Sequence, residues 1–203
     1  MSDNRAEEII LAYPSPLGRL THIRGSLLAS SMQSLRARGL YDKYHQLLDP
    51  GLRAAIVNST AGEWLGIEYA VAHYTACNEL GLSADEQRGM GRDVSRRINE
   101  TFLGVVVKVA RGVGVTPWVL LLRGNVLYSR VLRGGGLQVT KAAPKAARID
   151  IRGCSLLDLP YFRNALLGMY EASLGLFGER VSLRAEPSET QPGLHIMLRV
   201  HWV

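Results

Sequence analysis

Cysteine is scarce in this chain. Cys77 and Cys154 are the only two in 203 residues, far apart and outside any paired-ligand spacing, which argues against a disulfide framework and a cysteine-built zinc site. Phenylalanine occurs three times and aromatics make up 7% of the chain, few for a surface that would stack nucleic-acid bases. No long apolar run is present. The richest stretch, 102–122, is interrupted by Lys108, Arg111, three glycines and Pro117, whereas a spanning helix needs ~20 nearly uninterrupted apolar residues. The polar, acidic first residues lack the charged-then-apolar pattern of a secretory signal. These absences predict a cytoplasmic protein with no transmembrane segment and no metal site. Neither a Gly-x-Ser-x-Gly elbow nor a His-Glu-x-x-His helix occurs, and no nucleophile stands beside a base, so the chain is expected to be non-enzymatic. Gly134-Gly135-Gly136 lies between a helical and a strand pattern, whereas a phosphate loop has its glycines between a strand and a helix.

Acidic residues are missing from one place in particular. Between Thr101 and Gly153 nine basic side chains face a single acid, Asp150, a local +8 against a whole-chain excess of +6. The positive charge therefore belongs to one segment, and such polarisation attracts anions. Twenty arginines against four lysines fit anion recognition and a GC-rich genome equally.

At 47% apolar and 21% charged the chain can bury one good core. Pro14, Pro16 and Gly18 break any period in residues 1–25, predicted to be an extended arm; residues 26–203 are predicted to form a single α+β domain. Helices are expected at Ser26–Ala37, stopped by Gly39, at Tyr41–Leu48, Gly51–Val57 and Ile67–Leu80. Ser83 and Glu86 make a capping box. The helix it opens carries Met90, Val94, Ile98, Phe102, Val105 and Val109 as one apolar stripe. Arg88, Arg92 and Arg96 take another face, read as solvated. Pro117 opens a helix through Leu132 that sets Arg123, Arg130 and Arg133 on one side. Alternation then predicts strands at Leu137–Lys141 and Ala147–Gly153 with a turn at Ala143-Pro144. Asp158 is read as the cap of a helix whose inner face is Phe162, Leu166, Tyr170, Leu174 and Phe177, and two further alternating strands close the chain. The fold predicted is a helical N-terminal half packed on a four-stranded antiparallel sheet, with a strand-strand-helix-strand-strand C-terminal half.

The run Arg133-Gly-Gly-Gly, the strand end Ile149-Asp-Ile-Arg-Gly153 and the stretch Leu159-Pro-Tyr-Phe-Arg-Asn-Ala-Leu166, followed by a closing hairpin, resemble an uncharacterised bacterial family. That family is distantly similar in fold to 4-vinyl-reductase-like domains, haem nitric-oxide/oxygen-binding domains and vesicle-tethering subunits. The resemblance covers about Arg88 to Val203. It implies a sensor or adaptor with a small-molecule cavity between helices and sheet. Two features depart from it. The haem-binding branch uses a spaced tyrosine, serine and arginine, where this chain has contiguous Tyr128-Ser129-Arg130, and the clustered cysteines of the 4-vinyl-reductase-like branch are absent.

From these readings no cofactor is expected. His73, mid-helix near Tyr69, Tyr74 and Cys77, is the one histidine placed to ligate haem or another group if one were bound. The predicted function is a bacterial regulatory domain acting as an adaptor or small-ligand sensor, alone or as a homodimer. Arg123, Arg130, Arg133, Lys141, Lys145, Arg148 and Arg152 are the candidates to contact an acidic protein partner or a small anionic or apolar ligand. A cofactor-binding sensor and a non-specific nucleic-acid binder are the alternatives.

Overall fold

Strict alternation makes strands of two C-terminal segments on each side of a helix, and their register follows from burying one face of each. In the computed structural model, which describes residues 7–102, 116–178, 180–187 and 193–203, these are β5 (Gly136–Ala143), β6 (Ala146–Arg152), β7 (Val181–Pro187) and β8 (His195–Trp202). They form an antiparallel sheet ordered β5-β6-β8-β7. Leu137, Val139, Ile149, Ile151, Ile196, Leu198, Val200 and Trp202 point to one side and are buried. A fifth strand, β1 (Glu8–Leu11), joins the β5 edge, so part of the predicted arm is built into the sheet.

The helical half is α1 (Gly25–Ala37), α2 (Tyr41–Leu47), α3 (Pro50–Val57), α4 (Ile67–Asn78) and α5 (Ala84–Phe102). Gly39, at φ +68°, turns the chain after α1 in a conformation that glycine adopts without strain. The capping box opens α5: the Ser83 hydroxyl accepts from the Glu86 amide at 3.3 Å, and the Glu86 carboxylate accepts from the Ser83 amide at 2.8 Å. The continuation of its predicted stripe through Phe102, Val105 and Val109 lies outside the described side chains. A second small sheet, β3-β2-β4, is stitched from three distant pieces, β2 (His22–Arg24), β3 (Trp64–Gly66) and β4 (Leu132–Arg133).

Two differences from the sequence expectation matter for the site. The helix predicted from Pro117 to Leu132 is two short helices, α6 (Trp118–Leu122) and α7 (Gly124–Val131). The break is at Arg123, next to Gly124, where a Cβ would stand 2.7 Å from the Leu137 side chain, and the chain leaves α7 because Leu132 and Arg133 pair with β2. Asp158 does not cap the last helix. It ends a 3-10 turn, Ser155–Asp158, and α8 (Pro160–Leu174) begins on its N1 proline with no side-chain cap.

Helices α5 and α8 cross with their backbones in contact. A Cβ on Gly91 would lie 1.8 Å from the Ala165 carbonyl oxygen, and one on Gly168 would lie 2.0 Å from that of Arg88. Only glycine fits at either point. Around this contact Arg88 and Arg92 of α5 bond Glu171 of α8 at 3.3 and 3.0 Å. Asp93 pairs with Arg38 and accepts from Ser34. The arginine face read as solvated is thus partly an interhelical seam.

Candidate functional site

The inner face of the main sheet presents Leu137, Val139, Ile149 and Ile151 to the helices. Ile98 of α5, Leu166, Met169 and Tyr170 of α8, and Leu120, Leu127 and Val131 of α6 and α7 face them, and the layers leave a cavity of about 170 Å3. Its wall is overwhelmingly apolar. The polar exceptions are few: Ser95 and Ser173, bonded to each other at 2.8 Å, Arg130 from an exposed position, Tyr74 of α4, and the trio Tyr128, Cys154 and Tyr170.

That trio stays protonated. Burial pushes the Cys154 thiol up to about 12 and raises both phenols well above their ordinary range, with Cys154 next among the causes. The Tyr128 hydroxyl is buried and has no oxygen or nitrogen partner, with only the weakly bonding Cys154 thiol beside it. A buried hydroxyl without a good partner costs about 1–3 kcal/mol, so this atom is suited to donate a hydrogen bond to a ligand.

The candidates named from sequence are dispersed. Arg123 sits at the α6–α7 junction, Arg130 on α7, and Arg133 on β4, so the three share no helical face. Arg133 instead lies over the Trp64 ring at 4.1 Å, with Arg24 at 4.9 Å from the same ring. Lys141 and Lys145 are exposed on and beside the β5–β6 turn. Arg148 is engaged by Asp150 at 3.0 Å and by Glu7, and Arg152 stacks over Tyr13 at 5.2 Å. The structure does not bring the seven together into one patch.

His73 is fully buried but outside the cavity wall. Tyr44 Oη lies 2.6 Å from its Nδ1 and Ser31 Oγ 3.0 Å from its Nε2. With both nitrogens occupied it has none to offer a cofactor, and burial lowers its pKa to about 3. Among the described residues no cluster of three or more His, Cys, Asp or Glu could hold a metal ion, and no helix is long and apolar enough to cross a membrane.

No protein-family model and no curated protein matches the chain. Solved structures do. An oxygen-binding H-NOX domain related to soluble guanylate cyclases superposes with a TM-score of 0.60 at 15% identity, covering 89% of this chain and 95% of that one. The chain has the H-NOX fold. An H-NOX variant from K. algicida in its unliganded Fe(II) form gives 0.65 at 10% identity over 89% and 97%, and a T. tengcongensis H-NOX variant 0.60 at 15% over 89% and 97%. Of the three fold groups named by the sequence resemblance, the haem nitric-oxide/oxygen-binding group is the one these matches support.

They also correct the expectation that no cofactor is involved, since the H-NOX proteins matched are described by their haem. The cavity wall offers donor atoms of the kinds that hold such a group, in a volume of about 170 Å3. Haem iron is held by histidine, cysteine, methionine or tyrosine; the wall carries Tyr74, Tyr128, Cys154, Met169 and Tyr170 and no histidine. Sequence reasoning named Tyr128 and Cys154 only to set them aside, and Met169 and Tyr170 sit within an ordinary apolar stripe.

Proposed function

We propose that this chain is a ligand-sensing domain whose ligand occupies the cavity between α5, α8 and the sheet, with haem as its leading occupant. The observation that carries this reading is the buried cluster of Tyr128, Cys154 and Tyr170 on the wall of an apolar cavity in an H-NOX fold. A thiolate or phenolate from this cluster would take the place of an imidazole, its proton being released to solvent as the iron binds. Arg130 supplies a cation for a carboxylate group at the exposed side, and the leucine, isoleucine and valine wall excludes water from the rest. Bound haem would supply an iron that coordinates a small gas, its affinity set by the polarity of the surrounding pocket. The role is sensing and not catalysis.

Haemin titration tests it. The purified chain should show a saturable, one-to-one Soret shift. Cys154→Ser or Tyr128→Phe, whichever removes the donor, should lower the affinity at least about tenfold and change the band positions. An unchanged free-haemin spectrum would overturn the haem assignment. The cavity volume favours one other occupant, a smaller apolar molecule, because drug-sized ligands commonly take ~300–1,000 Å3 and this cavity measures about 170 Å3.

A further inference from the structure

The two sides of the cavity are held in different ways. On one side α5 and α8 touch backbone to backbone at Gly91 and Gly168, which leaves no side-chain layer to compress. On the other side stands α7, eight residues long, none of them fully buried, contributing Leu127, Tyr128, Arg130 and Val131 to the wall. A cavity of this volume that takes a larger ligand must gain space where the wall is lightly held.

Among the described residues, the Asn125 side chain ties that wall to the N-terminal segment. Asn125 Nδ2 donates to the Ala12 carbonyl at 2.8 Å, while its Oδ1 accepts from the Leu137 amide at 3.1 Å. Gly124 beside it has no Cβ, and Leu11 and Leu137 fill the space within 3.4 Å of where one would stand. From Ala12 the segment runs in both directions over the sheet. Upstream, β1 pairs with β5 through Glu8, Ile9 and Leu11, with a register shift between Ile9 and Leu11, and Glu7 reaches Arg148, which also holds Asp150. Asp150 in turn lies 3.3 Å from His195. Downstream, Tyr13 lies under Arg152, and the Gly18 carbonyl accepts from the Gly135 amide at 2.9 Å.

We infer that residues 7–18 form a strap that links the volume of the cavity to the edge of the main sheet, with Asn125 as the link between α7 and the strap. This rests on the cavity being the ligand site. Outward displacement of α7 pulls Ala12 with it, and β1, four residues long and bulged, is the weakest part of the sheet. Its release bares the β5 edge, an unpaired row of amides and carbonyls that another chain can read. The strap is the output of the sensor and the cavity is its input.

Amide hydrogen exchange on the full chain tests the link with and without a ligand. In ligand-free protein, Asn125→Ala should speed exchange about tenfold in both residues 8–11 and residues 124–131, the loss expected for two neutral hydrogen bonds, while α8 keeps its protection. A change in α7 alone, or in neither segment, overturns the link. With haemin, residues 8–11 should lose protection in the native chain and not respond in Asn125→Ala. Haemin that binds, by its Soret shift, without altering residues 8–11 overturns the strap and leaves the haem assignment standing. Failure of haemin to bind overturns that assignment, and the ligand-free comparison still decides the strap.

Discussion

His73 shows how a titratable residue can be purely structural. Its imidazole fills the space between Tyr44 and Ser31 with both nitrogens engaged, edge-on to Tyr44 and Tyr74, and it is held neutral because charging it would require desolvation. Its pKa falls from an ordinary 6.5 to about 3 on folding. The unfolded chain therefore binds more protons between those values, and stability is complete above pH 6.5 and declines as the pH drops toward 3. Urea denaturation at pH 7 and at pH 4.5 should show this decline, and His73→Phe should flatten it. The same variant should cost about 2 kcal/mol at pH 7, because it strands the Tyr44 and Ser31 hydroxyls. From sequence, His73 stood out by its position on a helix among aromatics. Its two hydrogen bonds come from α1 and α2, 42 and 29 residues away, and no local pattern encodes them.

The elements divide by what their making requires. Helices α1 to α5 and α8 and strands β5 to β8 follow from period and caps, and Ser83 with Glu86 behaves as the spacing predicts. The small sheet does not announce itself: its strands are three, three and two residues long and lie at 22, 64 and 132, too short for alternation to register. β1 is hidden by its four residues and by the prolines that follow it. The split between α6 and α7 is invisible because the apolar period continues across Gly124. The glycine contact of α5 with α8 was equally silent, since glycine inside a helix looks only like a propensity cost of about 1 kcal/mol. Here that cost permits a backbone approach that no other residue allows. Gly91→Ala and Gly168→Ala should each destabilise by roughly 2–4 kcal/mol in thermal or chemical melts. Gly89→Ala on the same helix meets only the Arg38 side-chain end at 3.1 Å, and its gain in helix propensity should leave it neutral or slightly stabilising.

Across the whole molecule, the positive segment that dominates the sequence dissolves into separate local uses. Arg148 is neutralised by Glu7 and Asp150, Arg152 covers Tyr13, and Arg133 stacks on Trp64 at the opposite sheet, while Lys108 and Arg111 lie outside the described residues. A charge tally along a chain counts residues before folding distributes them, and the acid that matters most to this segment, Glu7, comes from the far end of the sequence. The cavity was legible only as an implication of the fold resemblance. Its lining draws on α1, α4, α5, α6, α7, α8, three strands and Cys154, a convergence that single-chain periodicity does not carry.

The two thiols, remarked on first for their rarity, gain a use from where they lie. Both are buried, and burial raises both above the ordinary range, so neither reacts while the molecule stays closed. They sit at different depths of cooperativity: Cys154 on the cavity wall, Cys77 in the packed interior beside His73 and Tyr161. A thiol reagent thus becomes a two-channel clock. Its rate at Cys154 times the breathing of the cavity, its rate at Cys77 times opening of the helical half, and Asn125→Ala should quicken the first while leaving the second unchanged, as read by mass spectrometry of the labelled peptides.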